Sequence, residues 1–484
     1  MFASKEGHRV LLPKYLLLVV SSGTASYLGI QLLNARLGVT AMPAKLFVET
    51  LLFFVNFAVQ RMFIFHGRED ARRERAPSGR FCAWLILAAL AVLVALEVHG
   101  FRTGHLFSQE IWAPEGRARL LQFGALYVAA SAVLLILAPW ILAGLATALL
   151  VVLTAICVGP AAFLAVVFFL LSAWSLGGLL SRVARLPHLL SLLLGMAIYI
   201  FLMPFAARLP VNYAWVYALV LAGPILANLP SVRRELLAIL RLPAGVELRS
   251  WGERLGCAAF LFVLVTHWFA MLKPEASADG LAMHLAVPAN IAANHMLTFE
   301  PGRFLWAVMP MGADFTYSMV YLLGGEMAAR LLTFALLLVL LGLLRAAVRR
   351  WAAAAWLLVA LFATTPMVQL VTGSLFVENL LTALLLGMMT ALWHFGESGE
   401  RRFLYLAAAL GGTAMATKFG AIGFLLPALV CAAVEVWRHR KQSGARWGLA
   451  LGLLLLTAAP PYGIAWLKTG NPVFPFRNDK FHSR

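Results

Sequence analysis

Charge is what this sequence has least of. Only 12% of its 484 residues are Asp, Glu, Lys or Arg, about half the one-quarter typical of soluble domains. A soluble globular chain and a charged disordered tail are both excluded on that ground. Acidic residues are scarcest, with 21 Asp+Glu against 39 Lys+Arg. Cysteine is rarer still: Cys82, Cys157, Cys257 and Cys431 are scattered, each in or beside an apolar stretch. That spacing argues against a disulfide framework and against a clustered metal site. No Gly/Ser linker, low-complexity tract or soluble insertion interrupts the chain. What remains is apolar: 62% of residues and a mean hydropathy of +0.86. At about 20 residues per crossing this is material for about fifteen bilayer spans. The sequence predicts an all-α polytopic transmembrane protein.

Apolar runs and their flanks place spans near 15–34, 45–64, 81–98, 120–138, 141–158, 160–178, 188–206, 213–229, 255–272, 327–344, 352–369, 378–394, 403–417, 419–436 and 447–466. Basic clusters then fall in alternate loops, at Lys5/Arg9/Lys14, Arg68–Arg80, Arg182/Arg185, Arg233–Arg254, Arg345–Arg350, Arg401/Arg402 and Arg438–Arg446. By the positive-inside rule these loops and the N terminus are cytoplasmic. The excess of +18 therefore reads as topology, with anionic lipid headgroups as the partner and no need for nucleic acid. Residues 231–254 are expected along the cytoplasmic interface. The opposite loops face outward, and the longest, 273–316, has no run long enough to cross. A structured outer loop of that length is where function is expected.

The first hairpin carries Glu49 and Asn56, seven residues apart on one helix face. A carboxylate within a span costs at least about 2.5–3.5 kcal/mol and so should find a partner; Lys45, one turn earlier, is the local candidate. Polar glue between helices is the plain structural reading. The stretch "AKLFVETLLFFVNFAVQRMFIF" resembles the second half of the GtrA family, small membrane proteins linked to moving polyprenyl-phosphate sugars across a bilayer. The resemblance covers the last two of the family's four spans and implies a docking or lipid-handling appendage.

In the outer loop, Asp279 and His284 follow closely after a span. Asp279-Gly280 reads either as a helix-capping turn or as the site of a general base. Five residues of helix would bring His284 to the same polar pocket, where it either packs as an orienting histidine or contacts substrate. His284 and His295 alone make a weak metal site, and none is expected. Glu378 stands at the outer end of a span. Lys418 is the one charge between two apolar runs, so it either snorkels to the surface or meets an anion such as a phosphate. The tail "LKTGNPVFPFRNDKFHSR" is aromatic, proline-rich and basic, suited to the interface and not helical throughout.

The pieces "ADGLAMHLAVPANIAANH", "MPMGADFTYSMVYLLGG", "TPMVQLVTGSLFVENL", "GGTAMATKFGAIGFLLP" and "TGNPVFPFRNDKF", in this order over about 250–484, resemble bacterial integral-membrane glycosyltransferases of the GT-C type. That superfamily includes protein mannosyltransferases and lipid A aminoarabinose transferases. The resemblance implies a GT-C-like core and an active site on the outer face of the plasma membrane. It makes Asp279 the catalytic base, Glu378 a second acidic catalytic residue and Lys418 a ligand of donor phosphate, with His284 and Asn471 among the substrate contacts. Family members often carry Asp at the place of Glu378 and Tyr at that of Met283. The implied donor is a polyprenyl-phosphate sugar, the acceptor an envelope glycan, lipid or protein, and no cofactor is required. The resemblance divides the chain into a GtrA-like hairpin (1–66), additional spans with basic loops (67–254) and the transferase core (255–484). It also implies that the core continues beyond residue 484. A transporter or flippase of lipid-linked sugars is the alternative. Transporters carry internal repeats and polar residues near the midplane. No convincing repeat is found here, and the polar residues cluster at outer helix ends.

Overall fold

The computed structural model describes residues 114–137, 139–180, 186–241, 248, 250–349, 355–439 and 447–483, with scattered positions between 18 and 56. The chain divides into two units, Met1–Phe123 and Gly124–Arg484. In the first, the described positions between 18 and 35 and between 45 and 56 are helical. Ser22 Oγ donates to Asn56 Oδ1 at 2.6 Å, and Ser26 Oγ to Glu49 Oε1 at 3.2 Å. Asn56 and Glu49 are thus held across the hairpin by hydroxyls, and the partner of Glu49 is Ser26 rather than Lys45. The expected span at 81–98 and the basic clusters at 5–14, 68–80 and 182–185 lie outside the described residues.

All regular structure among the described residues is helical: α1 (Pro114–Leu137), α2 (Pro139–Val158), α3 (Pro160–Leu180), α4 (His188–Ala206), α5 (Ala214–Ala227), α6 (Leu229–Arg241), α7 (Trp251–Met271), α8 (Ala286–Asn294), α9 (Gly312–Val348), α10 (Ala355–Ala363), α11 (Pro366–Gly373), α12 (Glu378–Ser398), α13 (Arg401–Thr417), α14 (Ala421–His439), α15 (Trp447–Thr469) and α16 (Asn478–Phe481). A helix satisfies its own backbone donors and acceptors, as lipid requires. Seven of the described helices are long and apolar enough to cross a membrane, or up to nine if each bent pair is one span. This count covers the described residues and does not confirm the fifteen expected from the whole chain. The run at 213–229 forms α5 and ends at Asn228, where α5 and α6 meet at 79°. The run at 352–369 is cut before Pro366, which opens α11 at 65° to α10, because proline lacks an N–H and suits a first helical turn. Beyond its bend α6 presents Arg233 and Arg234 to the surface. The apolar side chains of Leu164, Leu219, Phe424 and Leu455 also stand exposed on their helices, a pattern suited to lipid and costly in water.

The helices meet where side chains are smallest. A Cβ on Gly177 would lie 1.8 Å from the carbonyl oxygen of Ser191, one on Gly195 1.8 Å from that of Ala173, and one on Gly412 2.1 Å from that of Leu454. These contacts bring α3 against α4 and α13 against α15. Lipid tails are as apolar as leucine, so close packing of this kind supplies the association that hydrophobic burial supplies in water. Helix α9 is broken inside by Gly325, at φ 70° and ψ −163°, a conformation that favours glycine. The break separates a membrane-like half, matching the apolar run at 327–344, from a buried half at 312–324 that the sequence assigns partly to the outer loop. That loop is structured, with a π-turn at Gly280–His284, helix α8 and a 3-10 turn at Leu305–Val308.

Gly195→Ala is expected to lower the thermal unfolding midpoint in detergent, at a cost of about 1–3 kcal/mol for overpacking. Gly223→Ala, whose added Cβ meets nothing within 4 Å, is expected to be neutral or to stabilise by up to about 1 kcal/mol. Equal midpoints for the two variants would refute close glycine packing of α3 on α4.

Candidate functional site

The site is framed by a buried ion pair. Arg330 lies one turn past the break in α9, and its Nη1 donates to Glu275 Oε2 at 2.9 Å with both side chains 1% exposed. The rest of the guanidinium is also occupied: Nε donates to Met271 O at 3.0 Å, and Nη2 to Ala270 O at 3.1 Å and Gly373 O at 3.0 Å. One side chain thereby ties the ends of α7 and α11 to α9. Glu275 in turn accepts from Ser277 N at 2.8 Å, Ser277 Oγ at 2.7 Å and the amide of Leu375. Burial pushes the Glu275 carboxyl up, but the Ser277 and Leu375 hydrogen bonds and the Arg330 charge outweigh it, and its pKa lies below the usual carboxylate value.

Two strands of consequence leave this pair. Gly280 packs on the carboxylate, since a Cβ there would fall 2.4 Å from Glu275 Cδ, and this starts the π-turn that ends in His284. The turn is capped by Ser277, whose Oγ accepts from Gly280 N at 3.1 Å. Asp279 has helical angles and makes no cap bond, so the capping role that the sequence offers Asp279 belongs to Ser277. On the other side, Leu375 is held by Glu275 and Phe376 by Tyr317, whose hydroxyl donates to Phe376 O at 2.5 Å. These bonds fix the approach to α12 and set Glu378 in its first turn.

Four chemistry-bearing side chains converge here. His284 Nδ1 lies 2.6 Å from Asp314 Oδ1, and both are buried. Glu378 pairs with Lys418 through Oε1. Gly312 brings the two pairs together: a Cβ there would lie 2.6 Å from Thr417 Oγ1, so the first turn of α9, with Asp314, seats directly against the residue before Lys418. Burial pulls the His284 pKa down. The charge and hydrogen bond of Asp314 and the charge of Glu378 raise it, Lys418 opposes them, and the result stands above the ordinary imidazole value. Asp314 Oδ2 and Glu378 Oε2 are buried without a hydrogen bond. Such oxygens call for a donor, as a hydroxyl or water supplies. Among the described residues no group of three His, Cys, Asp or Glu is placed to hold a metal ion.

The structure thus brings together His284, Glu378 and Lys418 of the expected residues. Asp279 is exposed on the turn that leads to His284, and no hydrogen bond or ion pair joins it to the other three. Asn471 is fully buried, and its side chain is used within its own loop. Its Nδ2 donates to Phe476 O at 2.9 Å and Ser483 Oγ at 3.2 Å, and its Oδ1 accepts from Val473 N at 3.0 Å. Sequence reasoning passed over Asp314, Glu275 and Arg330. The available signal was Arg330, a lone cation in the apolar run "MAARLLTFALLLVLL", which demands a buried partner. No protein-family model, curated protein or solved structure matches the chain.

Glu275→Ala leaves the Arg330 charge buried without its counterion and is expected to cost about 3–5 kcal/mol. Replacing both, as Glu275→Leu with Arg330→Met, should cost clearly less than that single change. Because the Glu275 pKa is depressed in the fold, its stabilisation is present above the usual carboxylate range and is lost as pH falls through the folded value. Thermal unfolding in detergent across acid pH checks both points; a single variant as stable as wild type would remove the pair from the framework.

Proposed function

We propose that the chain is a membrane glycosyltransferase that moves a sugar from a polyprenyl-phosphate donor to a hydroxyl of an envelope glycan, lipid or protein. The observation that carries this reading is the cluster of His284, Asp314, Glu378 and Lys418, assembled at one end of the helical unit from four separate segments. Transfer of a glycosyl group needs a hydroxyl stripped of its proton and a cation beside the departing phosphate. The cluster offers both kinds of group within one site. The loose GT-C-like sequence pieces support the same reaction class. The reading places the site on the outer face of a bacterial plasma membrane, with a cytoplasmic N terminus, a GT-C-like core and up to fifteen spans. Nucleotide sugars are cytoplasmic, so an outer site takes a donor already carried across on a lipid.

In this scheme the acceptor oxygen attacks the anomeric carbon, the bond from that carbon to the phosphate oxygen breaks, and the electron pair leaves with polyprenyl phosphate. Lys418 exchanges Glu378 for the phosphate and stabilises its growing charge. Asp279, to which the resemblance gives the base's role, is supported by its position as an acceptor contact, because it is exposed on the turn that carries His284. The GtrA-like hairpin fits a docking or lipid-handling role.

Mass spectrometry of envelope glycans and lipids should show one sugar mass lost on deletion of the gene. Lys418→Ala should reduce that product about 10²-fold, the scale for loss of one charge-stabilising group, and Asp279→Asn should reduce it as well. A product lost on deletion but kept in both variants would favour transport of the lipid-linked sugar over its transfer.

A further inference from the structure

His284 gives one ring nitrogen to Asp314 and keeps the other. With Nδ1 at 2.6 Å from a carboxylate oxygen, the ring proton sits on Nδ1 and the lone pair on Nε2. Nε2 has no hydrogen-bond partner among the described residues. The ring is held on its flank by Phe376, edge-on at a centroid distance of 5.9 Å. Asp314 is fully buried in the first turn of α9, where the helix N-terminus stabilises its negative charge. The alternatives for a proton acceptor are poorer. Asp279 has nothing to orient it, Asp314 lies behind the imidazole with its side chain 1% exposed, and the Glu378 oxygen that Lys418 does not hold, Oε2, is buried.

We infer that His284 is the catalytic residue that takes the proton of the acceptor hydroxyl at Nε2, and that Asp314 is the residue that positions it. This rests on the transferase reading and names the proton's destination within it. The step balances simply. The Nε2 lone pair takes the hydroxyl proton as the oxygen bonds to the anomeric carbon, and the phosphate oxygen leaves with the pair of the broken bond. The imidazolium, held by the Asp314 carboxylate, later releases its proton to water at the outer face. The charged groups around the ring are Asp314 from α9, Glu378 from α12 and Lys418 at the end of α13. The two carboxylates raise the basicity of the imidazole and Lys418 lowers it, and the net rise suits a base working near neutral pH.

The test uses spheroplasts carrying the full chain, whose outer face takes the pH of the buffer, with the cells' own lipid-linked sugars as donors and the sugar mass above as readout. A base must be neutral to act, so transfer by the wild type should fall as pH drops through the His284 pKa. Asp314→Asn removes a raising influence, so its acid limb should move to lower pH and its rate should fall. His284→Gln should lose about 10²–10⁴-fold in rate and lose that limb altogether. In parallel, carbethoxylation of His284 by diethyl pyrocarbonate in purified protein, read by peptide mass spectrometry, reports its titration without substrate. Its wild-type midpoint should coincide with the wild-type acid limb, a comparison that stands even if Asp314→Asn fails to fold. An acid limb that survives in His284→Gln, or a labelling midpoint that misses the wild-type limb, overturns the assignment while leaving the transferase reading intact. Absence of product from the wild type at every pH sinks the transferase reading, and the base assignment with it.

Discussion

A guanidinium placed in an apolar interior must be neutralised and have its donors filled, and much of the site follows from how Arg330 meets that demand. Its four hydrogen bonds reach Glu275, the last turn of α7 and the end of α11. An unpaired charge there would cost several kcal/mol, so the segments supplying the carboxylate and carbonyls are held in place together. Glu275 passes the constraint on. Through Gly280 it starts the turn that carries His284, and through the Leu375 amide it sets the entry to α12 and thus Glu378. The chemistry-bearing groups are therefore placed by a pair that need not touch a ligand.

Glycine supplies the second constraint, at two points in α9. Gly325 breaks the helix where φ is positive, so one half carries Arg330 among the membrane-like helices and the other carries Asp314 into the site. Gly312 then lets the first turn of that half rest on Thr417, which brings the Asp314–His284 pair beside Lys418. A single straight helix of 37 residues would run about 55 Å at 1.5 Å per residue, well beyond a bilayer core of about 30 Å. The break is thus what allows one apolar helix to serve both places.

The sequence made the helical, apolar character of the chain legible, because composition alone excludes the alternatives. It also pointed to His284, Glu378 and Lys418, since polar side chains at the ends of apolar runs stand out from their surroundings. What it hid depends on contacts far apart in the chain. Glu275 meets Arg330 across 55 positions and His284 meets Asp314 across 30, and no local period encodes either. Asp314 in "GADF" reads as an ordinary first-turn acid. The cap of the π-turn fell to Ser277 because its hydroxyl also serves Glu275, a preference that is visible only once Glu275 is known to be buried. Asn471, a conspicuous polar residue in a proline-rich tail, bonds Phe476, Val473 and Ser483 of that same tail, contacts that the sequence does not show. The expected number of crossings is not confirmed among the described residues, and hydropathy does not register a bend such as the one before Pro366.

The two carboxylate–cation pairs of the site differ in burial, and that difference assigns their roles. Arg330 and Glu275 are each 1% exposed, whereas Lys418 and Glu378 are 49% and 35% exposed. Exposed pairs contribute about 0–1 kcal/mol, so Lys418 loses little when it leaves Glu378 for another anion. Breaking the buried pair costs about 3–5 kcal/mol, more than an incoming ligand group is apt to return. In the transferase we propose, a donor phosphate therefore competes for Lys418 and leaves Arg330 alone. The same comparison separates Asp314 from Glu378: the first is sealed against His284 and fixed to one imidazole nitrogen, while the second is half-buried and shares its charge with a displaceable lysine. On the proposed reading, the buried His284–Asp314 pair would handle the proton and the exposed Lys418–Glu378 pair would exchange for an anion, the division of labour that displacement of a phosphate by a hydroxyl requires.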